Sequence, residues 1–217
     1  MTPDNKPLDT LHDIKQMMER SSRFISLSGL SGIAAGICAL VGAWLANRVL
    51  VNSGRGLVEQ TITIHQYNGI LISDTVKSQL LIIAAVTFVA AFVLAFLFTY
   101  LRSKKSETPL WGPVSKRLMT STCIPIIAGG IYLIKLSELG YYGLIAPGCL
   151  LFYGLALISA SRFTPGEVKY LGYSQLALGL IGCWFIGYGL FFWAMGFGVL
   201  NIIYGFIMWN RYERLAN

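Results

Sequence analysis

From Tyr170 to Asn210 the chain carries no charged side chain. Drawn out as one helix, these 41 residues would reach about 60 Å, roughly twice the hydrocarbon thickness of a bilayer. The stretch must therefore fold back on itself. The turn is predicted at Tyr188 to Trp193, because a break at Gly196 to Gly198 would leave a last helix of about a dozen residues, too short to span. Two spans result, 171–189 and 192–209.

The same length criterion finds four earlier runs. Phe24 to Ala46 is free of charge and gives a span at 24–46. It is longer than a signal-peptide core, its preceding tail mixes acids with bases, and no Ala-x-Ala cleavage site follows, so it is read as an uncleaved helix. Leu80 to Leu101 gives a span at 80–101 that stops at Arg102-Ser-Lys-Lys. A third span, 119–138, contains Pro125 and closes on Lys135 and Glu138, and a fourth, 141–160, stops at Arg162. With 55% hydrophobic and 12% charged residues and a mean hydropathy of +0.62, the composition is too apolar for a soluble domain. The expected fold is an all-α membrane protein, a six-transmembrane-helix bundle over 24–210, arranged as three consecutive helical hairpins.

Basic residues orient the bundle, since Lys and Arg accumulate on the cytoplasmic side. With both termini inside, 13 of the 17 basic residues are cytoplasmic: Lys6, Lys15, Arg20, Arg23, Arg102, Lys104, Lys105, Lys116, Arg117, Arg162, Lys169, Arg211 and Arg214. Only Arg48, Arg55, Lys77 and Lys135 fall outside. An odd number of spans would spoil this asymmetry. The net charge of +7 therefore reflects collars around apolar runs rather than a nucleic-acid surface, which needs basic residues interleaved with polar and aromatic groups on one face. The lipid bilayer is the expected partner, and no nucleic acid is.

Three segments lie outside the lipid in this reading. Residues 1–23 place Leu8, Leu11, Ile14, Met17 and Met18 at helical spacing after a Thr10/Asp13 capping pair, which predicts a cytoplasmic amphipathic helix. Such a helix rests on headgroups or docks a protein partner. The external loop 47–79 alternates apolar and polar residues on both sides of Asn68-Gly69, which predicts a small β-hairpin with arms at Thr61–Tyr67 and Ile70–Val76. Residues 211–217 form a cytoplasmic tail.

Small residues allow close helix approach in lipid. Ser28, Gly32 and Gly36 recur at four-residue spacing in the first span, with Gly29 beside them; Gly179 and Gly182, and Ala194, Gly198 and Gly205, are similar in kind. Packing within the chain is the plain use of such a stripe, and homo-oligomerisation is the other. Two sequences also match in outline: Phe152-Tyr-Gly-Leu-Ala-Leu-Ile before Arg162, and Ile203-Tyr-Gly-Phe-Ile-Met-Trp before Arg211. Repetition of this kind occurs in transporter-like folds, although two Tyr-Gly pairs do not establish it.

Chemistry is sparse. Lys135 and Glu138 sit three apart on one helix, as a boundary ion pair or, if deep, as part of an ion or substrate path. Asn201 falls in the middle of the sixth span, with Gln175 and Ser174 near the inner end of the fifth; buried amides of this kind usually bond a neighbouring helix. Pro125 and Pro147 are expected to loosen backbone bonds in the third and fourth spans. Lys135, Glu138 and Asn201 are thus the candidate binding residues, lining a polar site near helices three and six. His12 and His65 fall on opposite sides of the membrane, which excludes a two-histidine metal or haem site. Cys38, Cys123, Cys149 and Cys183 all lie in apolar runs, so neither a disulfide nor a metal is expected. No nucleotide-binding glycine loop, zincin sequence or nucleophile elbow occurs. No catalytic residue and no cofactor are assigned.

The string Glu19-Arg-Ser-Ser-Arg-Phe-Ile-Ser-Leu-Ser-Gly-Leu-Ser-Gly and the run from Leu144 through Tyr153-Gly-Leu-Ala-Leu resemble small six-helix bacterial inner-membrane proteins of uncharacterised role. The resemblance extends over most of the chain and implies a multi-pass inner-membrane location, with no activity or site attached. Three readings of function follow, in descending order: a non-catalytic structural, regulatory or accessory membrane subunit, a small oligomeric transporter or channel, and, well behind these, a membrane enzyme acting on lipid.

Overall fold

The fold was obtained as a computed structural model, which describes residues 29–52, 74–105, 113–164 and 166–212. Among the described residues every regular element is helical. Helix α1 is Gly29–Asn52, α2 is Asp74–Lys105, α3 is Pro113–Glu138, α4 is Ile145–Ala160 and α5 is Glu167–Trp184. A last helix starts as α6 (Gly189–Trp193), widens into a π-helical segment (Ala194–Leu200) and ends as α7 (Asn201–Tyr212); these three form one continuous sixth helix.

Five helices are long and apolar enough to cross a membrane: Gly29–Asn52, Ser78–Leu101, Val114–Glu138, Tyr142–Ala160 and Gly189–Arg211. The exception is α5, whose 18 residues include Glu167, Lys169 and Gln175. Its apolar surface is diluted by these groups, of which Glu167 and Gln175 are bonded to the sixth helix and Lys169 lies over the Tyr173 ring of α5 itself.

The expected β-hairpin is not supported. Asp74, Thr75 and Val76, assigned to its second arm, open α2 instead, because the apolar helix that follows extends backwards through them. The remainder of that hairpin, the amphipathic helix at 1–23, Ser28 and the tail beyond Tyr212 lie outside the described residues.

Two turns rely on glycine. At the end of α3, Gly140 adopts φ +81. The Tyr141 amide donates to the Leu136 carbonyl (3.0 Å) and the Gly140 amide to that of Ser137 (3.1 Å), the Schellman pattern that closes a helix with a left-handed residue. Between α5 and α6 the chain reverses over Phe185 to Tyr188, where Gly187 has φ +111. This break comes earlier than the turn expected at Tyr188–Trp193, because Gly187 can enter a region of backbone space closed to other L-residues.

The two prolines also behave differently from each other. Pro147 stands in the first turn of α4, where its missing N–H belongs to the set that has no helical partner anyway. It therefore does not loosen the helix as expected. Pro125 lies inside α3, where nearby Ser121 and Thr122 hydroxyls bond backbone carbonyls: Ser121 that of Ser159 on α4 (3.2 Å) and Thr122 that of Leu118 (2.8 Å).

Helix α1 lies between α2 and the sixth helix, and α4 lies between α3 and α5. The sixth helix also touches α4 and α5, which joins the two groups. Gly42 of α1 makes room for Thr87 of α2, and Gly129 of α3 receives the Phe152 ring of α4, with Tyr132 beside it at 5.7 Å between ring centres.

Candidate functional site

Two of the buried polar residues, Gln175 and Asn201, bond the π-helical segment. An i→i+5 turn is wider than an α turn and poorly matched to its neighbours, so it releases carbonyls for other donors. The Gln175 Nε2 donates to the Gly196 carbonyl at 2.8 Å, from α5 to the sixth helix. The Asn201 Nδ2 donates to the Phe197 carbonyl at 3.0 Å, and the Asn201 Oδ1 accepts from the Tyr153 hydroxyl of α4 at 3.3 Å. Tyr153 stacks obliquely on Phe197 (5.0 Å), which in turn meets Trp193 (5.4 Å).

Gln175 has no exposed surface and Asn201 only 6%. Among the described residues the Gln175 Oε1 has no hydrogen-bond partner. A buried, unpaired amide oxygen costs about 1–3 kcal/mol, so Gln175 contributes one good bond at the expense of one unmet acceptor. Gly196 is what lets it in. A Cβ at that position would fall 2.6 Å from the Gln175 Oε1 and would overlap Leu150.

Lys135 and Glu138 are elsewhere. They bond each other at 2.9 Å, at the end of α3 beside the Gly140 cap, with side chains 67% and 58% exposed. No hydrogen bond or ion pair joins either one to Asn201. The three candidate binding residues therefore occupy two places: a solvent- or headgroup-facing pair, and a buried amide tied to Tyr153. Ser174 turns back on the Tyr170 carbonyl (3.0 Å) on an exposed face of α5.

The small-residue stripe of α1 faces the sixth helix. A Cβ on Gly32 would meet the Gly205 Cα at 3.3 Å, and one on Gly36 would meet the Gly198 carbonyl oxygen at 2.8 Å. Gly29 lies against Gly205 and Trp209. The stripe is occupied within the chain.

Two residues that matter here carried little signal in the sequence. Tyr153 appeared only as part of a Tyr-Gly pair, and its hydroxyl partner is 48 positions away. Arg211 appeared only as a collar charge, yet its Nη1 pairs with the Glu167 Oε1 at 3.0 Å and ties α7 to the start of α5. Both pairings depend on how helices are placed side by side, which periodicity does not encode.

No family model, curated protein or solved structure matches the chain.

Proposed function

We propose that the chain is a non-catalytic accessory or regulatory subunit of the bacterial inner membrane, crossing it six times with both termini in the cytoplasm. Counting α5 as a span follows from its antiparallel seat against α4 and the sixth helix, with Glu167 and Lys169 at one end. One observation carries the subunit reading: α2 and α3 each pack on a single neighbour through one face and leave the other open, with 6% of the residues in each apolar stretch buried. Two long, one-sided helices on opposite flanks provide lateral surfaces for other membrane helices, while Asn201, Tyr153 and the Gln175 amide nitrogen hold the bundle together.

The test is photo-crosslinking in native membranes from Phe88 and Phe92 on α2 and from Ile127 and Ile131 on α3, all of them exposed. One defined protein captured from these positions, and not from the buried face of α1, is the expected result. Adducts to lipid alone would end the subunit reading.

A second reading, a small oligomeric transporter or channel, is favoured by the buried Gln175 Oε1 beside the π segment, a polar acceptor at the centre of an apolar bundle. It requires solute or ion flux in liposomes that Gln175→Leu and Asn201→Leu reduce and that Lys135→Ala leaves intact.

A further inference from the structure

We infer that the bundle has an internal pseudosymmetry, in which α1 with α7 and α5 with α4 are two equivalent helix pairs that tilt against each other about the π segment. This goes beyond the proposed function and does not rest on it.

The equivalence is visible in the register of the glycine contacts. A Cβ on Gly205 would meet the Gly29 carbonyl oxygen at 2.6 Å and the Ile33 amide at 2.7 Å; one on Gly154 would meet the Gly172 oxygen at 2.8 Å and the Leu176 amide at 2.9 Å. In the reverse direction, Gly29 faces the Gly205 oxygen and the Trp209 amide, and Gly172 faces the Gly154 oxygen and the Ile158 amide. Two turns further on, Gly36 faces the Gly198 oxygen and the Ile202 amide, and Gly179 faces the Pro147 oxygen and the Leu151 amide.

Each contact in one pair has its counterpart in the other under constant shifts. Positions 147, 151, 154 and 158 map onto 198, 202, 205 and 209, and positions 29, 33 and 36 map onto 172, 176 and 179. The sequences follow the same register. Gly-Leu-Ser-Gly-Ile-Ala-Ala-Gly at 29–36 lies over Gly-Tyr-Ser-Gln-Leu-Ala-Leu-Gly at 172–179, and the Tyr-Gly of 153–154 lies over that of 204–205. The tight turn at Phe185–Tyr188 makes α5 antiparallel to the sixth helix, so α4 runs with α7 and α1 with α5. The operation relating the pairs is therefore a rotation about the bundle axis, which leaves helix directions unchanged, rather than an inversion.

The joint follows from how the sixth helix is shared. Its first part belongs to the α4/α5 pair: Gly189 lies against Ala146, and Phe192 against Gly182. From Gly198 onward it belongs to α1. The π segment is where it passes from one pair to the other. Within each pair, backbone meets backbone, an interface that cannot slide without clashes. Between the pairs the polar links are made by side chains, Tyr153 to Asn201 and Glu167 to Arg211, while Gln175 of α5 holds the Gly196 carbonyl in the π segment itself. Rigid pairs joined by side chains, with a wide and irregular turn in the shared helix, form a hinge.

Matched exposed sites allow a direct test by pulsed dipolar EPR on the full-length protein in liposomes, with the four native cysteines replaced by serine. Ile37 and Phe206 in one pair correspond to Leu180 and Leu155 in the other, and all four are exposed. Labels at Ile37/Phe206 and at Leu180/Leu155 are expected to give the same narrow distance. Labels across the pairs, at Ile37/Leu180 and Phe206/Leu155, are expected to give broader or two-peaked distributions. Arg211→Glu, which sets two acids against each other, should shift the cross-pair distances only, and Glu167→Arg in the same chain should restore them. Unequal within-pair distances overturn the pseudosymmetry; cross-pair distributions as narrow as the within-pair ones, unmoved by Arg211→Glu, overturn the hinge.

Discussion

The four inner helices and the two flanking ones solve different problems with different residues. Helix α2 holds the most apolar of the five membrane-length stretches, yet 6% of it is buried, whereas 39% of Gly29–Asn52 is. Its surface is Leu, Ile, Val and Phe facing outward, from Leu81 to Phe96. The inner helices meet through Gly29, Gly36, Gly154, Gly172, Gly179 and Gly205. In water the most hydrophobic helix would be the most buried. In lipid, bulk hydrophobicity measures affinity for acyl chains, and close packing is left to residues without side chains to obstruct it.

The strongest way to break this comparison is to add bulk on both sides of it. Gly205→Leu pushes a side chain into the Gly29 carbonyl and the Ile33 amide, backbone that cannot move aside. Destabilisation of about 3 kcal/mol or more is expected, at or above the upper end for overpacking, read as a lower SDS midpoint when the protein is titrated in mild detergent. Val89→Leu, on an exposed face of α2, should stay within about 0.5 kcal/mol of the parent. Equal effects would mean that the glycine contacts do not hold the bundle.

Next in size is the polar link at the π segment. Gln175→Ala removes the donor to Gly196 and empties a site with no exposed surface; about 2 kcal/mol should be lost in the same titration. Gln175→Leu fills the space and also removes the unpaired oxygen, so its cost should fall below about 1 kcal/mol. A leucine variant as damaging as the alanine one would show that the hydrogen bond, rather than the volume, dominates.

How far the sequence discloses this arrangement depends on the range of each interaction. Apolar runs and basic collars are local, so the existence and approximate place of the helices could be read directly, α5 included, whose expected span of 171–189 lies a few residues beyond Glu167–Trp184. The Phe185–Tyr188 turn was displaced because several glycines compete in that stretch and only the three-dimensional path selects Gly187. Asn201 and Gln175 stood out as amides within apolar runs, but their partners, Tyr153 and a carbonyl freed by the π turn, depend on helix register across the bundle. The Tyr-Gly repetition was present in the residues all along. Its meaning required the Gly29 to Gly205 and Gly172 to Gly154 contacts, since two identities in seven positions carry little weight alone.

The turns provide a sharper and smaller effect. Gly187→Ala forces a Cβ into a backbone conformation at φ +111, which costs about 1–3 kcal/mol and should show as a lower SDS midpoint. Gly140→Ala, at φ +81 in a recognised helix cap with open space around it, should cost about 1 kcal/mol by the same measurement. If the inner hairpin matters more than the outer one, the α5–α6 turn will be the more sensitive of the two.

The smallest effect expected is at Lys135 and Glu138. The pair is well formed at 2.9 Å, but with both side chains more than half exposed its attraction is screened and offset by the entropy of fixing two long side chains. Lys135→Ala and Glu138→Ala should each change stability by less than about 0.5 kcal/mol, and the double variant should differ little from either. High salt should leave the parent protein's SDS midpoint where it is, because no buried charge depends on the pair. A loss of 2 kcal/mol or more on removing Lys135 alone would mean that its ammonium lies in a desolvated place, as an intramembrane charge on a functional path would. It would then belong with the buried amides rather than with the collars.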